Sequence, residues 1–228
     1  MAQTYGPPKI ITDGLVFAAD AGNPRCYTSG STTGTGLINN SPLTLTTDVT
    51  YSSLGGGSWD FTGADPSITT PSFDAINFDA DSDFSICFWV RMDNESGYDA
   101  HVAKSDSGAG YIPNLQISGA DTILRLYLDG TYAITFYSSK TYPTIWRNLV
   151  WVKTAAGVVT IYEDGISVAT TTGVTGKPTA SAGQLSIGND QFSSELDGKM
   201  TAVTMYNKAL TQAEITQNYN SQKSRFGL

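Results

Sequence analysis

Three aspartates at alternate positions, in "FDADSDF", are the side chains of this sequence best suited to holding a cation. Asp79, Asp81 and Asp83 would supply the hard oxygen ligands that calcium takes. An EF-hand loop counted from Asp79 fails, because Phe84 stands where glycine is required and Val90 where the bidentate glutamate belongs. What remains is a rim site of another kind, built from some of these three or from Asp20 with Asp197, weighed against ordinary turn aspartates.

Acid–base chemistry finds less to work with. A retaining glycosidase needs two carboxylates about 5 Å apart facing one sugar bond, and no Glu-x-Asp-x-(x)-Glu run is present. Glu163 and Asp164 are adjacent beside a turn, so they would point to opposite faces and read as solvated hairpin residues. The one histidine, His101 in "YDAHVAKSD", has no strained Gly-x-Ser-x-Gly elbow to serve, and "GVTGKP" lacks the spacing of a phosphate loop. Catalytic residues and cofactors other than calcium are therefore not expected. Aromatic faces can stack on sugar rings. Trp89, Trp146 and Trp151 fall inside predicted strands and read as core, which leaves Trp59, Tyr98, Tyr111 and Tyr142 as carbohydrate-binding candidates.

The elements that must position these groups are strands. Only 15% of the 228 residues are charged, 11% are aromatic, and 23 glycines punctuate the chain, a composition that points to an all-β protein. Of 21 acidic residues only Glu95, Glu163, Glu195 and Glu214 are glutamates, so the net charge of -8 belongs to turns. The 13 Lys and Arg are scattered, which excludes nucleic acid as a natural partner. No apolar run is long enough to span a bilayer, and the start "MAQTYGPPKIITDG" lacks the basic-then-apolar order of an export signal. Cys26 and Cys87 are too few for a disulfide framework or a zinc site and are expected as free thiols.

Residues 1–13, with Pro7-Pro8, read as an extended arm, and 14–228 as a single domain. "GLVFAAD" is a short strand, "LTLTTDVTY" a weaker one, and "FSICFWVRM" the clearest, with Phe84, Ile86, Phe88 and Val90 on one face. Asp129-Gly130 and Asp164-Gly165 mark two tight hairpins, because both central residues of a type I′ turn need positive φ. Further strands in "TIWRNLVWVKT", "GQLSIGND" and "LDGKMTAVTMY" bring the count to a dozen or so, which implies two packed antiparallel sheets. The chain then closes on a helix over about 212–222. Thr211 and Glu214 form a capping box, Leu210 and Ile215 a hydrophobic staple, and Ile215 with Tyr219 would lie against the sandwich edge.

These pieces in this order resemble the concanavalin A-like jelly roll of the laminin-G type. The resemblance is carried by "GLVFAADAGNPRCY", "WDFTGADPSI", "FSICFWVR", "WRNLVWVKTAAGVVTIYEDGISV", "LSIGN" and the ending "LDGKMTAVTMYNKALTQAEITQNYNSQKSRFGL". The tail "QNYNSQKSRFGL" is similar to the form found in tailed bacteriophage virion proteins. The sequence departs from that pattern after Cys26, where "TSGSTTGTGLINNSP" replaces an Asp-Leu-Ser-Gly-Asn-Gly type loop. What the resemblance implies is a two-sheet jelly roll of the lectin/glucanase type with a short C-terminal helix, and in relatives a calcium at the rim. It also implies a non-enzymatic virion protein, a capsid decoration protein or tail adhesin, assembled in the bacterial cytoplasm and bound to neighbouring virion subunits and host-surface glycans, monomeric or oligomeric. The alternatives are a carbohydrate-active enzyme, which predicts a carboxylate pair in a groove, and a cellular lectin.

Overall fold

The computed structural model describes residues 9–93, 99–106, 109–118, 121–175, 182–189 and 195–228. Residues 1–8, most of the expected arm, lie outside the described residues, and so does Tyr98.

The described chain is strand almost throughout. The first six strands are β1 (Leu15–Ala19), β2 (Thr33–Thr35), β3 (Pro42–Leu45), β4 (Val49–Ser52), β5 (Ser58–Phe61) and β6 (Ile68–Thr70). Longer strands follow: β7 (Phe84–Met92), β8 (Asp99–Asp106), β9 (Ala109–Ser118), β10 (Asp121–Leu128), β11 (Thr131–Ser138) and β12 (Arg147–Lys153). The last four are β13 (Val159–Glu163), β14 (Ile166–Thr171), β15 (Leu185–Ile187) and β16 (Gly198–Tyr206), before the helix α1 (Gln212–Gln222) and a 3₁₀ turn at Lys223–Phe226. One sheet runs β14-β13-β12-β7-β16-β5-β4, with β1 also on β16; the other runs β11-β10-β9-β8-β15-β6-β3-β2. The strand pairings are antiparallel. This is the expected all-β, two-sheet jelly roll with a short C-terminal helix.

Period-two alternation builds the interior. Phe84, Ile86, Phe88 and Val90 of β7 pack with Leu149 and Trp151 of β12 against Leu115, Leu124, Leu126 and Ile187 of the facing sheet. Both Asp-Gly turns have the expected geometry, with φ of 44° and 75° at Asp129-Gly130 and 54° and 80° at Asp164-Gly165. They close the β10–β11 and β13–β14 hairpins.

The far side of β7 is also dry, which a two-layer sandwich alone does not explain. Cys87, Val150, Val152, Tyr162 and Tyr206 form a second cluster with Leu210 and Ile215, and Trp89, Trp146 and Ala202 a third with Phe226. The helix therefore lies over the outer face of the first sheet, not against the sandwich edge. Its start is fixed as the sequence indicates: the Glu214 N–H donates to Thr211 Oγ1 at 3.3 Å, and the Thr211 N–H donates to Glu214 Oε2 at 2.8 Å. Asn218 holds residues 9–13 to the helix, accepting from the Ile11 N–H at 2.7 Å, while Gln217 donates to the Lys9 carbonyl at 2.8 Å. Trp89 is sandwiched between Tyr219 and Phe226 at ring separations of 5.7 and 4.0 Å, and its Nε1 donates to Gln222 at 2.7 Å.

Candidate functional site

The residues singled out by type and spacing fall mostly in structural positions. Trp59, Tyr111 and Tyr142 are all fully buried, so their rings offer no face to a sugar. Trp59 belongs to β5, where its ring meets Tyr27 edge-on at 5.9 Å. Tyr111 points into the core from β9 and donates to the Ile76 carbonyl at 3.0 Å; burial holds its hydroxyl well above the usual tyrosine range. Tyr142 lies in a loop but turns inward to donate to Glu163, and burial with that carboxylate beside it raises its pKa.

Glu163 is itself 2% exposed, not solvated as the sequence suggests, because Ser138 donates to it at 2.7 Å and Lys140 lies 3.7 Å away. Asp164 accepts from Lys140 and Arg147, each at 2.9 Å, and from the Asn148 N–H at 3.0 Å. The two acids are a structural buttress for the hairpin. The side chain of His101 falls outside the described residues; its backbone pairs with Asn114 in β8, inside the second sheet.

The aspartates expected to hold calcium, Asp79, Asp81 and Asp83, lie in the loop before β7. Among the described residues no three His, Cys, Asp or Glu side chains gather so as to hold a metal ion. The loop of Asp79, Asp81 and Asp83 already contains a cation: Lys153, fully buried, donates to the carbonyls of Ala80 at 2.6 Å and of Ser82 and Thr154 at 3.4 Å. Desolvation lowers its pKa, and the charges of Asp81 and Asp83 oppose that shift. Asp83 accepts from the Ala155 N–H at 2.6 Å, and the Asp79 N–H donates to Ser82 Oγ at 2.9 Å. The alternative ligand Asp20 is taken by Arg225, which grips it through two nitrogens at 2.6 and 2.8 Å. Cys26 and Cys87 are buried free thiols, pushed up to about 11 and about 12 by desolvation.

The most exposed aromatic side chains lie elsewhere, on the outside of the second sheet. Leu124, Leu126 and Leu128 of β10 enter the core, which turns Ile123, Arg125 and Tyr127 outward. Across the hairpin, Ile123 pairs with Tyr137, Arg125 with Thr135 and Tyr127 with Tyr132; on the other side, Ile123 pairs with Gln116, Arg125 with Asn114 and Tyr127 with Ile112. Tyr132 and Tyr137 are 59% and 60% exposed, the largest aromatic exposure among the described residues.

Strict alternation would send Tyr132 inward with Ile134. A bulge prevents this, because the register shifts between Leu126/Ile134 and Tyr127/Tyr132, leaving Ala133 as the extra residue and moving Tyr132 to the outer face. There the Arg125 guanidinium lies 4.7 Å from its ring centre and donates to Gln116 at 2.6 Å, with Tyr127 edge-on at 5.5 Å. Arg125 Nε is buried with no hydrogen-bond partner among the described residues. The patch thus combines open aromatic faces, a fixed fork of donors and an amide. Sequence reasoning passed over it; the signal was the alternation of "LRLYL", which puts Arg125 and Tyr127 opposite the leucines.

On the same side of this sheet lies a polar cavity of about 360 Å³, between β6 and β15. Thr69 and Ser186 line it from the strands, and Asp65, Ser67, Asn189 and Glu195 from the adjoining segments.

A two-sheet jelly roll with the C-terminal helix over the outer face of one sheet, and tyrosines, an arginine and a polar cavity on the outer face of the other, has the architecture of a concanavalin A-like domain. The chain belongs to the concanavalin A-like lectin/glucanases superfamily, whose model matches residues 62–216. Solved structures similar to it include the binding domain of Paraclostridial Mosquitocidal Protein 1, with a TM-score of 0.71 and 18% identity over 91% of this chain and 52% of that one. The receptor-binding domain of botulinum neurotoxin D aligns with a TM-score of 0.72 and 12% identity over 92% of this chain and 53% of that one. The binding domain of botulinum neurotoxin serotype G gives 0.71 and 15% over 92% and 51%. At these identities the likeness is one of fold, and the chain spans about half the length of these structures. A search of curated proteins gave no match. The structural relatives are bacterial toxin binding domains, which overturns the expectation of a tailed-phage virion protein and, with it, of virion subunits as partners.

Proposed function

We propose that the protein is a non-enzymatic, lectin-like binding module that holds carbohydrate on the outer face of β9–β11, around Arg125, Gln116, Tyr132 and Tyr137. The observation that carries the reading is the pair of open tyrosines beside a stacked arginine on the uncovered part of the sheet. Exposed aromatic faces lose water at little conformational cost, and the fixed guanidinium and amide can donate to ring hydroxyls. The family and the naming of the structural relatives as binding domains support the same reading. The carbohydrate-active enzyme has less support, because Glu163 and Asp164 are both committed to structural hydrogen bonds.

The test is a glycan array followed by calorimetric titration of its best ligands, with wild-type protein and Tyr132→Ala/Tyr137→Ala. Loss of both rings is expected to weaken binding by about 10-fold or more, since stacking contacts are each worth about a kcal/mol. EDTA is expected to leave the affinity unchanged, because among the described residues no three His, Cys, Asp or Glu side chains gather to hold a metal ion. A silent array, or a double variant that binds as wild type does, would refute the proposal.

A further inference from the structure

The polar cavity between β6 and β15 and the tyrosine–arginine patch share one sheet. From β10 to β15 is three strand spacings, or ~14 Å. The cavity's chemistry differs from that of the patch. Asp65 and Glu195 bring two carboxylates to its lining, Ser67, Thr69 and Ser186 bring hydroxyls, and among the described residues the lining includes no Lys or Arg. Asn189 donates to Asp65 Oδ1 at 2.7 Å, fixing that carboxylate in place. Ser186 is fully buried at mid-strand in β15, and its Oγ has no hydrogen-bond partner among the described residues. A buried hydroxyl without a partner is costly, and a ligand hydroxyl would satisfy it.

We infer that this cavity is a second subsite, one that takes a neutral sugar ring by its hydroxyls while the tyrosine–arginine patch stacks on another ring of the same oligosaccharide. The inference rests on the carbohydrate-binding reading and adds a ligand class to it. The carboxylates accept from adjacent hydroxyls of the ring, and the serine and threonine hydroxyls complete the set in either direction. The two acids repel a sugar carboxylate or sulfate, and no described lining residue is a base to offset them, so the site selects neutral chains over sialylated or sulfated ones. A chain long enough to reach both subsites gains from the second contact being intramolecular.

The experiment titrates the full chain with neutral gluco-, galacto- and manno-oligosaccharides, from disaccharide to hexasaccharide, and with sialyl-lactose. Wild type, Ser186→Ala, Glu195→Gln and Tyr132→Ala are compared, each with a thermal melt. The expected result is affinity that climbs with chain length in the neutral series and a ~10-fold loss on long chains for S186A and E195Q. For S186A the melting temperature should hold or rise, because the hydroxyl removed has no partner in the folded protein. If Tyr132→Ala abolishes binding while S186A and E195Q bind long chains as wild type does, the second subsite is overturned and the first stands. Tighter binding of sialyl-lactose than of neutral chains overturns the ligand class. If no oligosaccharide binds wild type, both readings fail together.

Discussion

Replacing Phe226 by alanine tests whether the C-terminal turn truly seals the first sheet. The ring is 8% exposed, stacks on Trp89 at 4.0 Å and meets Trp146 at 4.9 Å. A phenylalanine lost from a closed core costs ~3–5 kcal/mol, part of it for the cavity left behind. Here the residue lies on the outside of a sheet, beside the exposed Ser224, Gly227 and Leu228, so the vacated space opens to water and the cavity contribution falls away. What remains is about 2 kcal/mol for returning the ring to water and about 1 kcal/mol for its aromatic contacts. For a domain of this size each kcal/mol lowers the melting temperature by ~2–4 °C, so the expected drop is ~6–12 °C. Circular dichroism melts would measure it, and a red shift in tryptophan emission would report the wetting of Trp89. Leu228→Ala, at a residue 46% exposed, is the control and should stay within ~0.5 kcal/mol of wild type. A melting temperature for F226A within ~2 °C of wild type, with emission unchanged, would show that the turn rests on the sheet without holding it.

Two more perturbations address how the elements are held. Glu214→Ala removes half of the capping box and is expected to cost ~1 kcal/mol near neutral pH in a urea titration. The Lys208 ammonium and the Thr211 N–H hold the Glu214 carboxyl below its usual range, so the stability it adds is present above that range and is lost as pH falls through the folded-state pKa. The wild-type and variant curves should therefore converge in acid; a constant gap would refute the charge assignment. Lys153→Met strips three carbonyls of their donor and is expected to cost ~2–3 kcal/mol in the same titration. Because burial depresses the lysine pKa, the unfolded chain binds more protons between that value and the ordinary ~10.4, and wild-type stability should rise with pH across that window. K153M should lack this rise, and a rise of equal size in both proteins would assign it to another group.

How much of this was written in the sequence depended on how local the signal was. The Asp-Gly turns, the strand Phe84–Met92 and the Thr211–Glu214 box are each specified within a few neighbouring residues, and each forms as read. Strand β9 is not legible because Pro113 interrupts it, and proline usually demotes a run from strand interior. The chain accommodates it by a gap in the β8–β9 ladder between the pairs His101↔Asn114 and Lys104↔Tyr111, where proline has no N–H to give. Trp59 stands in a segment that reads as a short extended piece beside a turn, and pairing with both β4 and β16 buries it. Tyr132 was hidden for the opposite reason: its position by alternation is a core one, and only the bulge at Ala133 turns it out. Facts of pairing between distant segments decide burial, and a linear pattern does not contain them.

The bulge also bears on why the proposed binding face lies where it does. A sandwich of two sheets has two outer faces, and here the C-terminal segment lies over one of them. Here Trp89, Tyr206 and Cys87 commit the outside of the first sheet to the helix, and Arg225 fastens the end of the clasp to Asp20. The second sheet keeps Ile112 and Ile123 on its outside, both less than 9% exposed, beneath a layer made by its own tyrosines and arginine. That layer needs no covering element, since Arg125 rests on Tyr132 and on Gln116, and it presents ring faces to solvent without exposing aliphatic core. Moving Tyr132 inward would overfill an interior already occupied by Ile134 and Leu126 and would strip the arginine of its platform. The extra residue at Ala133 therefore serves packing and surface at once, which ties the binding face to the register of a single hairpin.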